Sequence, residues 1–208
     1  MNTAEAYDGP RALPEAPSAK INHRSTGSIP VATSSVLTDG EQEPAVYLLG
    51  AHGGAGTTTL AHSMAPMRET DVFPAADDPN MVAVVTALHR PGLDAAHKII
   101  RQLQAGRAGG CALVGLIVVN TTGGKTPKAV AQRLAGVADN VSEVWEIPYI
   151  EAWRTVATDT LPVWTPEPGD SQAKKRRKVD PLTDVPPSVA DVALNICRSA
   201  VDLYESLS

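Results

Sequence analysis

The stretch Tyr47-Leu48-Leu49-Gly50-Ala51-His52-Gly53-Gly54-Ala55-Gly56-Thr57-Thr58-Thr59-Leu60-Ala61 frames the rest of the chain. Its apolar opening predicts a strand, its glycines a turn, and its threonines the start of an apolar-periodic helix. In that order, backbone N–H groups at a helix N-terminus cradle a phosphate, helped by about half a positive charge from the helix dipole. Loops that hold polyphosphates in this way read G-x-x-x-x-G-K-[ST], with a lysine after the last glycine to neutralise the outer phosphates. Here that position is Thr57. The sequence keeps the cradle without its cation.

Outward from this stretch, apolar runs alternate with helical periods. Strands are predicted at residues 45–50, 81–88, 111–120 and 141–147. The runs at 81–88 and 111–120 are apolar almost throughout, which suits strands covered on both faces. A first helix starts at Thr57 or Thr58, buries Leu60, Ala61 and Met64, and is stopped by Pro66. A second follows Pro91-Gly92, with Leu93, Ala96, Ile100 and Leu103 on one stripe and Gly106 placed for a C-cap. Thr126 and Pro127 read as cap and first turn of a third helix burying Val130, Leu134 and Val137. Ser188 and Asp191 read as a capping box for a last helix, with Val189, Val192, Ile196, Leu203 and Leu207 inward. Residues 67–80, with two prolines and four acidic side chains, read as a loop. Alternating strands and helices mean an α/β fold, a small parallel sheet of four or five strands flanked by helices.

Residues 1 to about 43 are rich in Pro, Ser, Thr, Ala and Glu and lack an apolar period, so a disordered tail is expected, with Ile29-Pro30-Val31-Ala32 as a candidate docking stretch. Residues 44–164 are read as one domain, 165–187 as a charged, proline-rich linker, and 188–208 as a C-terminal helix packed on the domain.

These features resemble the ParA/MinD-type partition ATPases, deviant members of the phosphate-loop superfamily. Their loop is K-G-G-x-G-K-[ST]-T; here it is His52-Gly53-Gly54-Ala55-Gly56-Thr57-Thr58-Thr59, with both lysines replaced. Val82-Ala83-Val84-Val85-Thr86 followed by Gly92-Leu93-Asp94-Ala95-Ala96 is similar to the family's strand and helix after its switch region. Leu116-Ile117-Val118-Val119-Asn120 is similar to the strand whose final asparagine contacts the base, and Ile147-Pro148-Tyr149 and Leu161-Pro162-Val163 to two later pieces. The resemblance spans residues 45–163. The family's switch I and Walker B aspartates have no counterpart beyond Asp77-Asp78-Pro79-Asn80, which no apolar strand precedes. Glu151-Ala152-Trp153-Arg154 further resembles a motif of shortened actinobacterial phosphate-loop-like proteins associated with conjugative elements.

The resemblance implies a degenerate NTPase, more scaffold or regulatory subunit than enzyme, in plasmid partition or conjugative DNA transfer. Gly53, Gly54, Gly56, Thr57 and Thr58 would line a residual anion site, and Asn120 would stand near a base. No cofactor is required; weak ATP or ADP binding, or a phosphate or sulfate ion at the loop, remains open. His52 could restore charge when protonated, but an ordinary histidine is mostly neutral at pH 7. Gly123-Gly124-Lys125-Thr126 also sits between strand and helix, yet Val119 stands where its first glycine should be, so it reads as a surface turn with a helix cap. An active or partner-activated ATPase is one alternative. A DNA-binding accessory protein acting through Lys174, Lys175, Arg176, Arg177 and Lys178 is another.

Trp145, Tyr149, Trp153 and Trp164 gather much of the chain's small aromatic content, and they read as part core and part interface. Trp153 and Arg154 are the candidate protein-partner contacts, and a homodimer is left open. A net charge of -5 argues against a generally nucleic-acid-binding surface. Cys111 and Cys197 read as separate buried thiols of a reducing compartment, and no run reaches the ~18 apolar residues of a membrane helix. A soluble cytoplasmic protein is expected, with no metal site.

Overall fold

The most apolar stretch, β3 (Met81–Ala87), is buried at all seven positions, as is β1 (Val46–Gly50) at all five. Burial on both faces requires neighbours on both edges and cover above and below. A computed structural model, which describes residues 28–38, 40–167 and 179–207, supplies both. The sheet has five parallel strands, adding β2 (Met67–Thr70), β4 (Ala112–Val119) and β5 (Val144–Ile147), in the order β2-β1-β3-β4-β5. The α/β class expected from the sequence is what the chain forms.

Side chains alternate between the faces with period two. Val46, Leu48, Ala83, Val85 and Ile117 meet Leu60 of α1 (Thr57–Ser63), Met64 just after it, and Val189, Val192, Ala193 and Ile196 of α4 (Pro187–Leu207). Tyr47, Leu49, Val82, Val84, Leu116 and Val118 meet Leu93, Ala96 and Ile100 of α2 (Arg90–Gln104) and Val137 of α3 (Lys128–Ala138). No helix among the described residues is long and apolar enough to cross a membrane.

Several expectations need correction. Residues 67–80 are not all loop: Met67, Arg68, Glu69 and Thr70 pair with Val46, Tyr47, Leu48 and Leu49 as an edge strand. Pro127, not Thr126, holds the cap position of α3, with no side-chain cap bond. The carbonyl of Pro186 accepts the first bonds of α4, from Val189 and Ala190, so Ser188 lies inside the first turn. Leu207 is exposed and Leu203 only half-buried. Gly106 does end α2 as expected: its N–H bonds the Leu103 carbonyl and that of Arg107 bonds the Gln102 carbonyl, the 5→2 and 6→1 bonds of a Schellman motif.

The expected tail is partly fold. Residues 28–38 lie on the α2 face, where Ile29 is buried among Phe73 and the α2 side chains. Buried Gln102 clasps the backbone of Ile29, accepting from its N–H at 2.9 Å and donating to its carbonyl at 2.6 Å. Val31 bridges Phe73 in parallel. Buried Asp78 accepts hydrogen bonds from the Ser35 hydroxyl and from the backbone N–H groups of Val36 and Ala75. Residues 1–27 lie outside the described part of the chain.

Candidate functional site

The strand order switches between β1 and β3, because the connection after β1 runs out to β2 and the one after β3 runs the other way to β4, and the carboxyl ends of strands at such a point are where open α/β sheets place ligands. The glycine-rich turn leaves β1 there. Gly56 is the N-cap of α1 with φ 94°, a left-handed conformation that side chains with a Cβ rarely adopt. Gly54 has φ 80° and open space around it. Ala55 between them is buried.

None of the turn's side chains supplies positive charge. Thr57, in the lysine position, is buried. The Thr58 hydroxyl donates to the Glu69 carboxylate on β2 at 2.7 Å, which places an anion beside the helix start. His52 accepts the Ala87 N–H on Nε2 at 3.2 Å. A ring accepting on Nε2 and otherwise neutral carries its proton on Nδ1, which then donates to the Gly53 carbonyl at 2.9 Å. Protonating His52 would break the Ala87 bond, so its geometry opposes the substitute charge considered from the sequence. The ring also lies 5.0 Å, centroid to centroid, from His89, which caps α2 by accepting from Gly92 N–H. A Cβ on Gly92 would come within 2.7 Å of His52 Nε2 and 2.8 Å of the Ala87 carbonyl, so this packing demands glycine.

Beside the turn, over the carboxyl ends of β4 and β5, opens a cleft of about 280 Å³. Gly56, Thr59 and Leu60 form its α1 wall, and Val119, Asn120 and Thr121 its floor. Ile147 through Ile150, then Trp153 and Arg154 of a 3-10 turn (Glu151–Arg154), close the far side. Of the expected anion-site residues, the cleft gathers Gly56 and Asn120; Gly53, Gly54, Thr57 and Thr58 do not line it. It also takes in Trp153 and Arg154, which the sequence suggested as partner contacts. The sequence grouped Tyr149 with Trp153 and Thr59 with the glycine loop, but nothing in it marked Thr121 as a neighbour of Arg154, because 33 residues separate the two.

The tryptophans divide by role. Trp145 is core, and Trp164 bridges Met64. Trp153 Nε1 donates to the Pro181 carbonyl at 2.8 Å, which fastens the cleft wall to the later part of the proline-rich stretch. Gly123, Gly124, Lys125 and Thr126 are all exposed, in keeping with a surface turn, though without the helix cap. Lys174, Lys175, Arg176, Arg177 and Lys178 lie outside the described residues. Both cysteines are free and half-buried rather than fully buried, and burial pushes the Cys111 thiol up to about 11.

Fold and site together define a parallel α/β protein with a glycine-rich turn and a small cleft at the carboxyl edge of its sheet. The chain belongs to the family of unknown function DUF6668, whose model matches residues 44–166, more than half of its length. No curated protein and no solved structure matches it.

Proposed function

We propose that the protein is a catalytically silent relative of phosphate-loop NTPases that serves as a scaffold or regulatory subunit. The observation that carries this reading is the glycine turn without a cation: Thr57 is buried, and His52 spends its Nε2 lone pair on Ala87 N–H. Losing the lysine removes a charge-assisted contact of roughly 1.5–3 kcal/mol, about ten- to a hundred-fold in affinity. Phosphoryl transfer depends still more on cationic groups in its transition state. The Glu69 carboxylate beside Thr58 opposes a bound polyphosphate further. The resemblance of the loop and of Glu151-Ala152-Trp153-Arg154 supports a place in plasmid partition or conjugative DNA transfer.

Steady-state hydrolysis of ATP and GTP with magnesium is the test. The purified protein should match a Gly56→Asp variant, and titration calorimetry should give nucleotide affinities no tighter than micromolar. Turnover above that control overturns the reading.

The same Thr58–Glu69 pair favours a second reading, a hydrolase completed by a partner. A hydroxyl and a carboxylate are the hard oxygen donors that Mg²⁺ accepts alongside water and substrate phosphates. That reading predicts turnover only on mixing with a partner that contributes a cation, abolished by Glu69→Gln.

A further inference from the structure

The cleft carries its charge at the end away from the glycine turn. On the α1 side, Gly56, Thr59 and Leu60 bear none. Across from them stands Arg154, the one charged residue of the lining. Among the described residues no carboxylate forms an ion pair with it. Its guanidinium lies 5.9 Å from the centre of the Tyr149 ring and reaches the Thr121 carbonyl only at 3.4 Å. Most of its five donors are therefore left for solvent or a ligand. Asn120 is half-buried in the floor, and among the described residues its side-chain amide takes no hydrogen bond. The remaining surface is largely apolar: Leu60, Val119, Ile147 and Trp153. At about 280 Å³ the space falls just below the ~300–1,000 Å³ usual for ligand pockets, too small for a dinucleotide.

We infer that this cleft takes a small planar ring compound bearing a single anionic group, which pairs with Arg154 while the ring lies against the apolar lining and the Asn120 amide bonds its edge. The inference rests on the proposed reading that the glycine turn supplies no cation. One guanidinium matches one negative charge, and the lining holds no second cation for the further charges of a triphosphate. A ring compound of this kind has two ready sources, a nucleotide with one negative charge and an aromatic carboxylate, and both are tested.

The experiment titrates the full chain with cyclic AMP and with indole-3-acetate, each beside its neutral counterpart, adenosine or indole-3-acetamide, and with ATP. Tryptophan fluorescence reports on Trp153 for cyclic AMP, and calorimetry serves for the indoles. At least one anion should bind about ten-fold or more tighter than its neutral counterpart. Arg154→Ala should bring that anion down to the neutral level and leave the neutral compound unchanged. Arg154→Lys should retain part of the difference, and circular dichroism should show both variants folded. Whichever anion binds names the source. Equal binding of anion and neutral partner, anion binding indifferent to Arg154→Ala, or no saturation by either anion in the millimolar range overturns the inference. ATP binding more tightly than cyclic AMP and untouched by Arg154→Ala overturns it too, because the phosphates would then sit at the glycine turn. None of these results measures hydrolysis, so the proposed catalytic silence stands or falls separately.

Discussion

Replacing Gln102 by leucine isolates the energy that holds the N-terminal segment on the sheet. The side chain is buried, and it serves Ile29 N–H, Ile29 C=O and the Arg107 carbonyl at 2.9, 2.6 and 2.9 Å. Leucine has similar volume but offers no polar atom. It leaves the donor and acceptor of Ile29 buried, at roughly 1–3 kcal/mol for each unsatisfied group, or about 2–6 kcal/mol for the two. That cost has a ceiling, because the segment can peel away and regain water. Peeling forfeits the burial of Ile29, worth about 1.5–3 kcal/mol, together with the Val31–Phe73 bridge. The variant should therefore lose about 2–4 kcal/mol in urea unfolding, a large fraction of the ~5–15 kcal/mol typical of a domain. Its m-value should also fall, since less surface is then buried in the folded state. Hydrogen exchange gives the local readout: the amides of Ala32 and Val36, bonded to Phe73 C=O and to Asp78, should lose protection while those of β3 keep theirs. If Gln102→Leu unfolds within about 0.5 kcal/mol of wild type and those amides exchange no faster, the clasp does not hold the segment.

Other perturbations reach the rest of the molecule. Burial pushes the Asp78 carboxyl up, but hydrogen bonds from Ser35, Val36 and Ala75 outweigh it and hold its pKa below the ordinary value. A folded pKa below the unfolded one gives stability that is present near neutrality and lost as pH falls through the folded value. Asp78→Asn should thus weaken the protein at pH 7 and narrow its difference from wild type at strongly acid pH, as followed by urea titrations. Burial first, then Arg133 and Arg101, lower the pKa of His97, whose Nδ1 accepts from Arg133 at 2.8 Å. Its NMR titration should lie below ~6.5, and Asp94→Asn, which removes the opposing carboxylate, should lower it further. Here too stability declines as the solution is acidified, because the unfolded chain takes up the proton first. Gly92→Ala should cost about 1–3 kcal/mol by forcing the new methyl against His52, Thr86 and the Ala87 carbonyl, and His52 ring resonances should shift with it.

The parts of the fold legible in the sequence are those whose reason is local. Met81–Ala87 and Ala112–Val119 are apolar at nearly every position, so burial on both faces follows from composition alone. Met67–Thr70 escaped notice because Arg68 and Glu69 put charge at the centre of a four-residue strand, which is too short for a period to emerge. Residues 28–38 escaped for another reason. Their anchors, Gln102 and Asp78, are polar side chains supplied from 73 and 42 or 43 positions away, and no local pattern announces such partners. The site divides in the same way. Gly56 and Asn120 belonged to readable motifs, whereas the convergence of Tyr149 and Arg154 on them arises only when β4 and β5 bring their ends together.

The sheet narrows toward its rims: the inner strands run five, seven and eight residues, while β2 and β5 have four each. A rim that short offers a newcomer only a few free backbone groups, and on β2 those lie beside Arg68 and Glu69. Unpaired strand borders are the usual template for runaway cross-chain pairing, and brevity plus charge is the common defence. Copies of this chain meeting border to border would gain little, so concentrated solutions should resist fibrillar association even though the interior strands are rich in valine and leucine.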